Sequence, residues 1–163
     1  MGVGLTCHTL NPRLTVAHLA AMITEVGDRV LAVGAGLSDL ARDLAAACPS
    51  LERLILLDGD TDEGEGGLPV DALETLLVER GRTATWGTFD ERTLAGLCFT
   101  SGTTGAPKGV GYTHRSNYLH TLRALQADAM ALTARDRVLV AVPMFHANAW
   151  GLPFAAPAVG AGL

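Results

Sequence analysis

The sequence predicts an α/β fold in which helices cover a partial parallel β-sheet. Short apolar runs, typical of buried strands, alternate along the chain with segments of helical periodicity. The first half reads strand, helix, strand, an order that favours parallel pairing under covering helices. Of the 163 residues, 48% are hydrophobic and 18% are charged, which suits one globular domain with enough chain to bury a core.

The first half of the chain carries clear start and stop signals. Thr15 suits an N-cap, and a stripe of apolar residues at three- and four-residue spacing follows it up to Gly27. Gly34-Ala35-Gly36 begins like a dinucleotide-binding fingerprint, but Asp39 stands where a third glycine is needed, so a simple strand-to-helix turn is predicted. The predicted elements are an extended segment over 5–9, the helix from Thr15 to Gly27, a buried strand over 29–33, a helix over 37–47 and a strand over 53–57.

An acidic, glycine-rich linker over 58–69 divides the chain. Its first acidic residues have the opening spacing of a calcium-binding loop, but Glu63 replaces the required glycine and Pro69 replaces the closing glutamate. A solvated loop is therefore predicted, with no metal site. Beyond it we predict a helix over 70–79, an irregular stretch over 86–92, strands over 94–99 and 110–113, a helix over 116–132, a buried strand over 138–142, and a loop or broken helix from Ala147.

Composition excludes several classes of function. The net charge of −5 and the lack of a Lys/Arg cluster argue against nucleic-acid binding. Three widely spaced cysteines indicate reduced thiols in a cytoplasmic protein, not a disulfide framework. Residues 138–163 contain no charged side chain, but Pro143, Pro153 and Pro157 interrupt them, so a buried segment is expected instead of a transmembrane helix.

The segment with the strongest chemical signal follows the strand predicted over 94–99. Ten consecutive residues combine hydroxyls, glycines and one lysine. Glycines let backbone N–H groups approach a phosphate, while hydroxyls and the ammonium add further donors, so the segment predicts a polyphosphate-binding loop. It is not a Walker A loop, since Pro107 precedes the lysine and Gly109 follows it. Its residues are Thr100, Ser101, Gly102, Thr103, Thr104, Gly105, Ala106, Pro107, Lys108 and Gly109.

Two motifs resemble a known family. LCFTSGTTGAPKGVGYTHRS, from Leu97 to Ser116, resembles the signature phosphate loop of the adenylate-forming (AMP-binding) enzymes. VPMFHANAWGLPFAAP, from Val142 to Pro157, resembles that superfamily's next motif, and Trp150 after His146 makes it most similar to medium- and long-chain fatty acid–CoA ligases. The resemblance implies that residues 1–163 are an incomplete N-terminal AMP-binding domain, with the C-terminal domain absent.

The resemblance also implies a two-step reaction. A fatty carboxylate attacks the α-phosphate of Mg²⁺-bound ATP and pyrophosphate leaves; the thiol of coenzyme A then displaces AMP. ATP, Mg²⁺ and coenzyme A are the implied cofactor and cosubstrates, and the partners are small molecules alone. Because the motifs that in the family hold adenine, ribose and Mg²⁺ are not found in the sequence, the chain alone is expected to be inactive.

Site residues are assigned by the same resemblance. Lys108 and His146 are the expected catalytic residues, and no residue is assigned as a metal ligand. His146 is expected beside the acyl carboxylate, on one side of a helical turn with Trp150, whose indole lines the acyl pocket; the alternative is that Trp150 only fills the core. His114 is evenly balanced between a site role and a structural one. The expected ATP-binding residues are Thr100, Ser101, Gly102, Thr103, Thr104, Gly105 and Lys108.

Two other functions stay open at this point. One is another acid–CoA ligase, acting on an aryl or short-chain acid. The other is a non-catalytic phosphate-binding module that keeps the loop without the chemistry.

Overall fold

The computed structural model describes residues 1–59, 67–100 and 107–163. The chain forms two compact units, one of Asn11–Ala84 and one of Met1–Leu10 with Thr85–Leu163. The strands are β1 (Cys7–Thr9), β2 (Val30–Val33), β3 (Arg53–Leu56), β4 (Val70–Ala72), β5 (Leu94–Thr100) and β6 (Lys108–Thr113). The α-helices are α1 (Val16–Val26), α2 (Ser38–Ala47), α3 (Leu73–Arg80), α4 (His114–Ala124) and α5 (Leu152–Ala158).

A bilayer-spanning helix is not found in the part of the chain that the structure describes.

The unit Asn11–Ala84 contains a parallel sheet in the order β2-β3-β4. Thr15 caps α1, since its side chain accepts a hydrogen bond from the backbone N–H of His18, and Gly27 ends the helix with a φ of 70°. Leu19 and Ile23 on α1 are buried to 1% and 0% exposure. These features confirm the helix predicted between Thr15 and Gly27.

Two boundaries in this unit differ from the prediction. Val70–Ala72 forms β4, paired in parallel with β3, so the helix predicted over 70–79 begins only at Leu73. A three-residue strand is too short for its periodicity to compete with that of the helix after it. The strand predicted as buried over 29–33 is present as β2, but Val30 is 53% exposed.

The turn after β2 confirms its structural interpretation. The carboxylate of Asp58 accepts a hydrogen bond of 2.6 Å from the backbone N–H of Ala35, at the start of a short 3₁₀ turn that leads into α2. Asp58 therefore orients backbone at this end of the sheet. The acidic residues Asp60, Asp62 and Glu63 of the linker lie outside the described residues.

The second unit is built on a mixed sheet in the order β1-β5-β6. β1 runs parallel to β5, with Thr9 opposite Cys98, while β6 returns antiparallel to β5, with Lys108 opposite Thr100. The parallel α/β prediction is confirmed, and the hairpin β5–β6 adds an antiparallel edge.

The helix predicted over 116–132 is shorter and starts earlier. Thr113 caps α4 by accepting a hydrogen bond of 3.0 Å from the N–H of Ser116, and α4 ends at Ala124. The carbonyl of Ala124 then accepts from the N–H of Met130, which folds the following residues into a turn. The apolar spacing of 125–132 is compatible with a helix, but these backbone bonds favour the turn.

The strand predicted over 138–142 is wrong. Within the described residues this segment belongs to no sheet; Arg137 forms an isolated bridge with Gly162, and Leu139 is 92% exposed. An apolar run has the composition of a buried strand whether or not a neighbouring strand pairs with it, so composition alone misled the prediction. The expected burial of the charge-free end holds for Ala155 and Ala156 on α5, which have no exposed surface.

Candidate functional site

The predicted phosphate loop is presented by the hairpin β5–β6. Thr100 is the last residue of β5 and Lys108 the first of β6, and the two are direct register partners. Directly opposed residues of an antiparallel pair carry their side chains on the same face, so the hydroxyl and the ammonium leave the hairpin side by side. Both residues are exposed. Ser101, Gly102, Thr103, Thr104 and Gly105 lie outside the described residues.

Glycines on β6 make room for large side chains on β5. A Cβ at Gly111 would lie 2.7 Å from Cδ2 of Leu94, and one at Gly109 would lie 3.4 Å from the ring of Phe99. β5 is buried at Ala95 and Cys98, which anchors the strand in the unit. Thr100, at the end of β5, and Lys108, at the start of β6, are thereby carried by strands that pack closely on each other.

The charge of Lys108 is not neutralised by a neighbour in the described part of the chain, where it takes part in no ion pair. An exposed ammonium beside a hydroxyl is suited to an anionic oxygen such as that of a phosphate. Thr100 and Lys108 are therefore both accessible to an anion at this end of the hairpin.

His146 directly precedes a tight turn over Ala147–Gly151, and Trp150 lies within that turn. The backbone N–H of Ala149 donates to the carbonyl of His146 at 3.0 Å, and four consecutive non-glycine residues, Ala147 to Trp150, have φ between 46° and 56°. The expected turn is present, but it is left-handed, a conformation that costs L-residues about 1–2 kcal/mol each.

Burial alternates around this turn. His146 is exposed and Trp150 is 54% exposed. Asn148 and Ala149, which lie between them, are buried, with 3% and 0% of their surface exposed. The described residues thus leave half of the indole of Trp150 uncovered, and its place in the wall of an acyl pocket stays a prediction.

The turn packs on the face of β5 that ends in Thr100. The thiol of Cys98 donates to Oδ1 of Asn148 at 3.0 Å, and a Cβ at Gly96 would lie 2.9 Å from Nδ2 of the same amide. Residues two apart on a strand share a face, so Gly96, Cys98 and Thr100 point the same way. The two motifs recognised in the sequence thus meet on one face of the hairpin.

Sequence reasoning missed Asn148, Cys98 and His120. Nε2 of His120 on α4 lies 3.1 Å from the carbonyl oxygen of Trp150, at the far end of the turn. The available signal was Asn148 itself, a polar amide inside a charge-free segment. Buried polar groups are normally hydrogen-bonded, so such a residue predicts a partner even where the partner cannot be named.

His114 packs against an aromatic side chain. It is the first residue of α4, and its ring lies 4.5 Å from that of Phe89 at an angle of 44°. Its Nε2 is buried and makes no hydrogen bond within the described residues. On the neighbouring strand, burial raises the pKa of the Tyr112 phenol above its ordinary value, so Tyr112 stays neutral at physiological pH. Tyr112 lies near the end of β6, and His114 directly follows that strand.

Metal-ligating side chains do not cluster in residues 1–59, 67–100 and 107–163; no group of three or more His, Cys, Asp or Glu there could hold an ion. The three cysteines, all described, are free thiols, with Cys7 exposed and Cys48 and Cys98 buried.

Comparison with known proteins places this geometry in a family. The family described as AMP-binding enzyme matches residues 1–163. The chain is 37% identical over 163 residues to a medium-chain-fatty-acid–CoA ligase of Ectopseudomonas oleovorans, covering 99% of this chain and 30% of the relative. It is 41% identical over 157 residues to a 3-methylmercaptopropionyl-CoA ligase of Ruegeria pomeroyi, covering 94% of this chain and 29% of the relative.

A solved structure confirms the fold. A long-chain-fatty-acid-CoA ligase from Archaeoglobus fulgidus superposes with a TM-score of 0.81 at 22% identity, over 96% of this chain and 29% of that one. The chain thus spans about 30% of the length of the curated relatives it matches. Since the family match runs from the first residue to the last, the chain belongs to the AMP-binding enzyme family.

Proposed function

We propose that this chain is part of an ATP-dependent acid–CoA ligase and contributes the phosphate-binding hairpin and one wall of the acyl site. The observation that carries the proposal is the meeting of the two motifs, with Thr100 and Lys108 opposed at the tip of β5–β6 and the turn of His146 and Trp150 packed on the same face. The similarity to relatives named as CoA ligases supports the reaction type.

In the first step of such a reaction, a carboxylate oxygen bonds to the α-phosphorus of ATP while the bond to pyrophosphate breaks. Negative charge builds on the departing pyrophosphate, and donors already fixed around its oxygens lower the barrier. Thr100 and Lys108 would supply a hydroxyl and an ammonium there, together with Ser101, Thr103, Thr104 and the backbone of Gly102 and Gly105. Mg²⁺ bound to the nucleotide would neutralise further charge.

In the second step the thiol sulfur of coenzyme A bonds to the acyl carbon and AMP leaves. No side chain of this chain needs to act as a nucleophile in either step. The part that we assign to these residues is therefore to bind the phosphates, to orient the carboxylate for in-line attack and to stabilise the leaving group.

We propose a fatty acid as the acid substrate. The half-exposed indole of Trp150 offers an apolar wall, and the exposed imidazole of His146 offers a hydrogen-bonding group at the other end of the turn. The similarity to the medium-chain-fatty-acid–CoA ligase supports a fatty acid, whereas the similarity to the 3-methylmercaptopropionyl-CoA ligase supports a short acid as the second candidate.

The acid class is tested by Trp150→Ala and His146→Ala in an enzyme of the relatives' length that contains this chain. Trp150→Ala should change kcat/KM by about 10- to 100-fold for long acids relative to short ones, as the loss of a pocket contact does. His146→Ala should slow adenylation of all acids alike. The measurement is adenylation kinetics across short, medium and long acids.

An unchanged length profile in Trp150→Ala, with only a lower unfolding temperature, would remove the argument for a fatty acid and leave the shorter or aryl acids. Tyr118→Ala is a suitable control, because Tyr118 on α4 is an aromatic residue with 64% exposure and lies outside both motifs.

We also propose that the 163-residue chain does not complete the reaction by itself. It spans about 30% of the length of relatives named as CoA ligases, and the rest of each relative is available to hold the nucleotide and the thiol. Acid-dependent AMP release by the purified chain should not exceed the rate without acid, and robust release would contradict the proposal.

We also propose a cytoplasmic location, because the three cysteines are free thiols.

A further inference from the structure

The left-handed turn over Ala147–Gly151 does not form for local reasons. Ala147, Asn148, Ala149 and Trp150 all have positive φ, and none is a glycine. L-residues disfavour this region because Cβ approaches the following carbonyl oxygen. Contacts outside the turn must therefore hold it.

Asn148 makes the central contact. Its side chain is buried, and its Oδ1 accepts a hydrogen bond of 3.0 Å from the thiol of Cys98 on β5. The same sulfur lies 3.3 Å from the hydroxyl of Thr9 on β1 and 3.6 Å from the carbonyl oxygen of Met144. One thiol thus joins two strands, the segment before the turn and the centre of the turn.

The amide of Asn148 also fits the backbone beneath it. A Cβ at Gly96 would lie 2.9 Å from Nδ2, closer than unstrained Cβ contacts come. Glycine at this position of β5 allows the amide to approach the strand closely, two residues from the cysteine that donates to it. Gly96 and Cys98 therefore form a close-fitting seat for Asn148, whose Oδ1 is hydrogen-bonded and whose Nδ2 is buried without a hydrogen-bond partner in the described residues.

We propose that Asn148 is a positioning residue, which through its seat on Gly96 and Cys98 holds the left-handed turn and so fixes the side chains of its neighbours His146 and Trp150. This role in holding the turn can be tested without any reaction. Its effect on acid activation rests on the proposed function.

A purely structural role makes a different prediction. If Asn148 and Cys98 only add to stability, removing their hydrogen bond lowers the free energy of unfolding but leaves Trp150 as ordered as before. If Asn148 positions the turn, the indole gains local motion in protein that is still folded. The mobility of Trp150 separates the two roles.

The test uses the 163-residue chain with Trp86→Phe, which leaves Trp150 as the single tryptophan of the two in the sequence. Time-resolved fluorescence anisotropy then reports nanosecond motion of that indole. Cys98→Ala should raise the amplitude of the fast decay about twofold, as side-chain motion is released on this timescale. Asn148→Ala should do the same.

Cys48→Ala is the matched control, because Cys48 is the other buried thiol, with 0% exposure, and it lies in the unit of Asn11–Ala84. It should lower stability without changing the anisotropy of Trp150. Cys98→Ser keeps a donor for Oδ1 and should restore the behaviour of the parent. Equal anisotropy in the Cys98→Ala, Cys98→Ser and Cys48→Ala proteins would overturn the proposal.

A second arm measures the consequence for activity in an enzyme of the relatives' length. If Asn148 acts through Trp150, the double variant Asn148→Ala/Trp150→Ala should show the same change in the acid-length profile as Trp150→Ala alone. Additive changes would contradict action through Trp150. If Trp150→Ala leaves the profile unchanged, the fatty-acid assignment fails, while the fluorescence result still decides whether Asn148 positions the turn.

Discussion

Lys108→Ala should slow adenylation about a hundredfold, corresponding to about 3 kcal/mol of transition-state stabilisation, the loss seen when one fixed donor to a developing anion is removed. The variant is made in an enzyme of the relatives' length that carries this chain. Lys108 stands opposite Thr100 at the tip of the hairpin, is exposed and has no ion-pair partner in the described part of the chain. Its ammonium is therefore available to a phosphate oxygen.

The effect should fall on the rate more than on binding. Charge accumulates on the pyrophosphate as the bond breaks, so an interaction with that charge is stronger in the transition state than in bound ATP. Single-turnover formation of the acyl-adenylate should slow, while the KM for ATP should change less.

Arg115→Ala provides a control for the loss of a positive charge in the same unit. Arg115 lies on α4 and forms an exposed ion pair with Glu91 at 2.5 Å, an interaction of the kind that contributes about 0–1 kcal/mol. Its adenylation rate should stay near that of the parent. A Lys108→Ala enzyme that adenylates as fast as the Arg115→Ala enzyme would show that the phosphate-loop assignment is wrong.

The sequence predicted those parts of the fold that local signals encode. The cap at Thr15, the stop at Gly27 and the apolar run of β5 each follow from residue type and spacing, and the structure confirms them. The strand expected over 138–142 failed because an apolar run does not show whether a partner strand lies beside it. β4 was missed because three residues carry no readable period.

The candidate site also has one part that local sequence signals indicate and one part that they do not. The phosphate loop could be proposed from the sequence because glycines, hydroxyls and a lysine in ten consecutive residues have a direct chemical meaning. The left-handed turn could not, because Ala147, Ala149 and Trp150 disfavour positive φ and only Asn148 tolerates it. That conformation depends on the seat formed by Gly96 and Cys98, some fifty residues earlier in the chain. A long-range contact of this kind is invisible to periodicity.

Ile23 on α1 should contribute strongly to the stability of the fold. Ile23→Ala should lower the free energy of unfolding by about 2–5 kcal/mol, because it removes buried methyl and methylene groups and leaves a cavity. Ile23 on α1 has 0% exposure and shares its helix face with Leu19, which is 1% exposed. The measurement is urea denaturation followed by circular dichroism, with the midpoint and the slope analysed separately.

Val26→Ala on the same helix is the control. Val26 is 38% exposed, so its truncation leaves no closed cavity and should cost under about 1 kcal/mol. Equal losses for the two variants would mean that α1 is not buried through Ile23.

The Ile23→Ala variant also separates an effect on stability from an effect on function. Ile23 lies in the unit of Asn11–Ala84, whereas Thr100, Lys108, His146 and Trp150 all lie in the other unit. In an enzyme of the relatives' length, Ile23→Ala should therefore lower the temperature of inactivation without changing the ratio of kcat/KM between long and short acids. A change in that ratio, as large as the one expected for Trp150→Ala, would mean that the acid-length profile reports general destabilisation, and Trp150 would lose its assignment as the pocket wall.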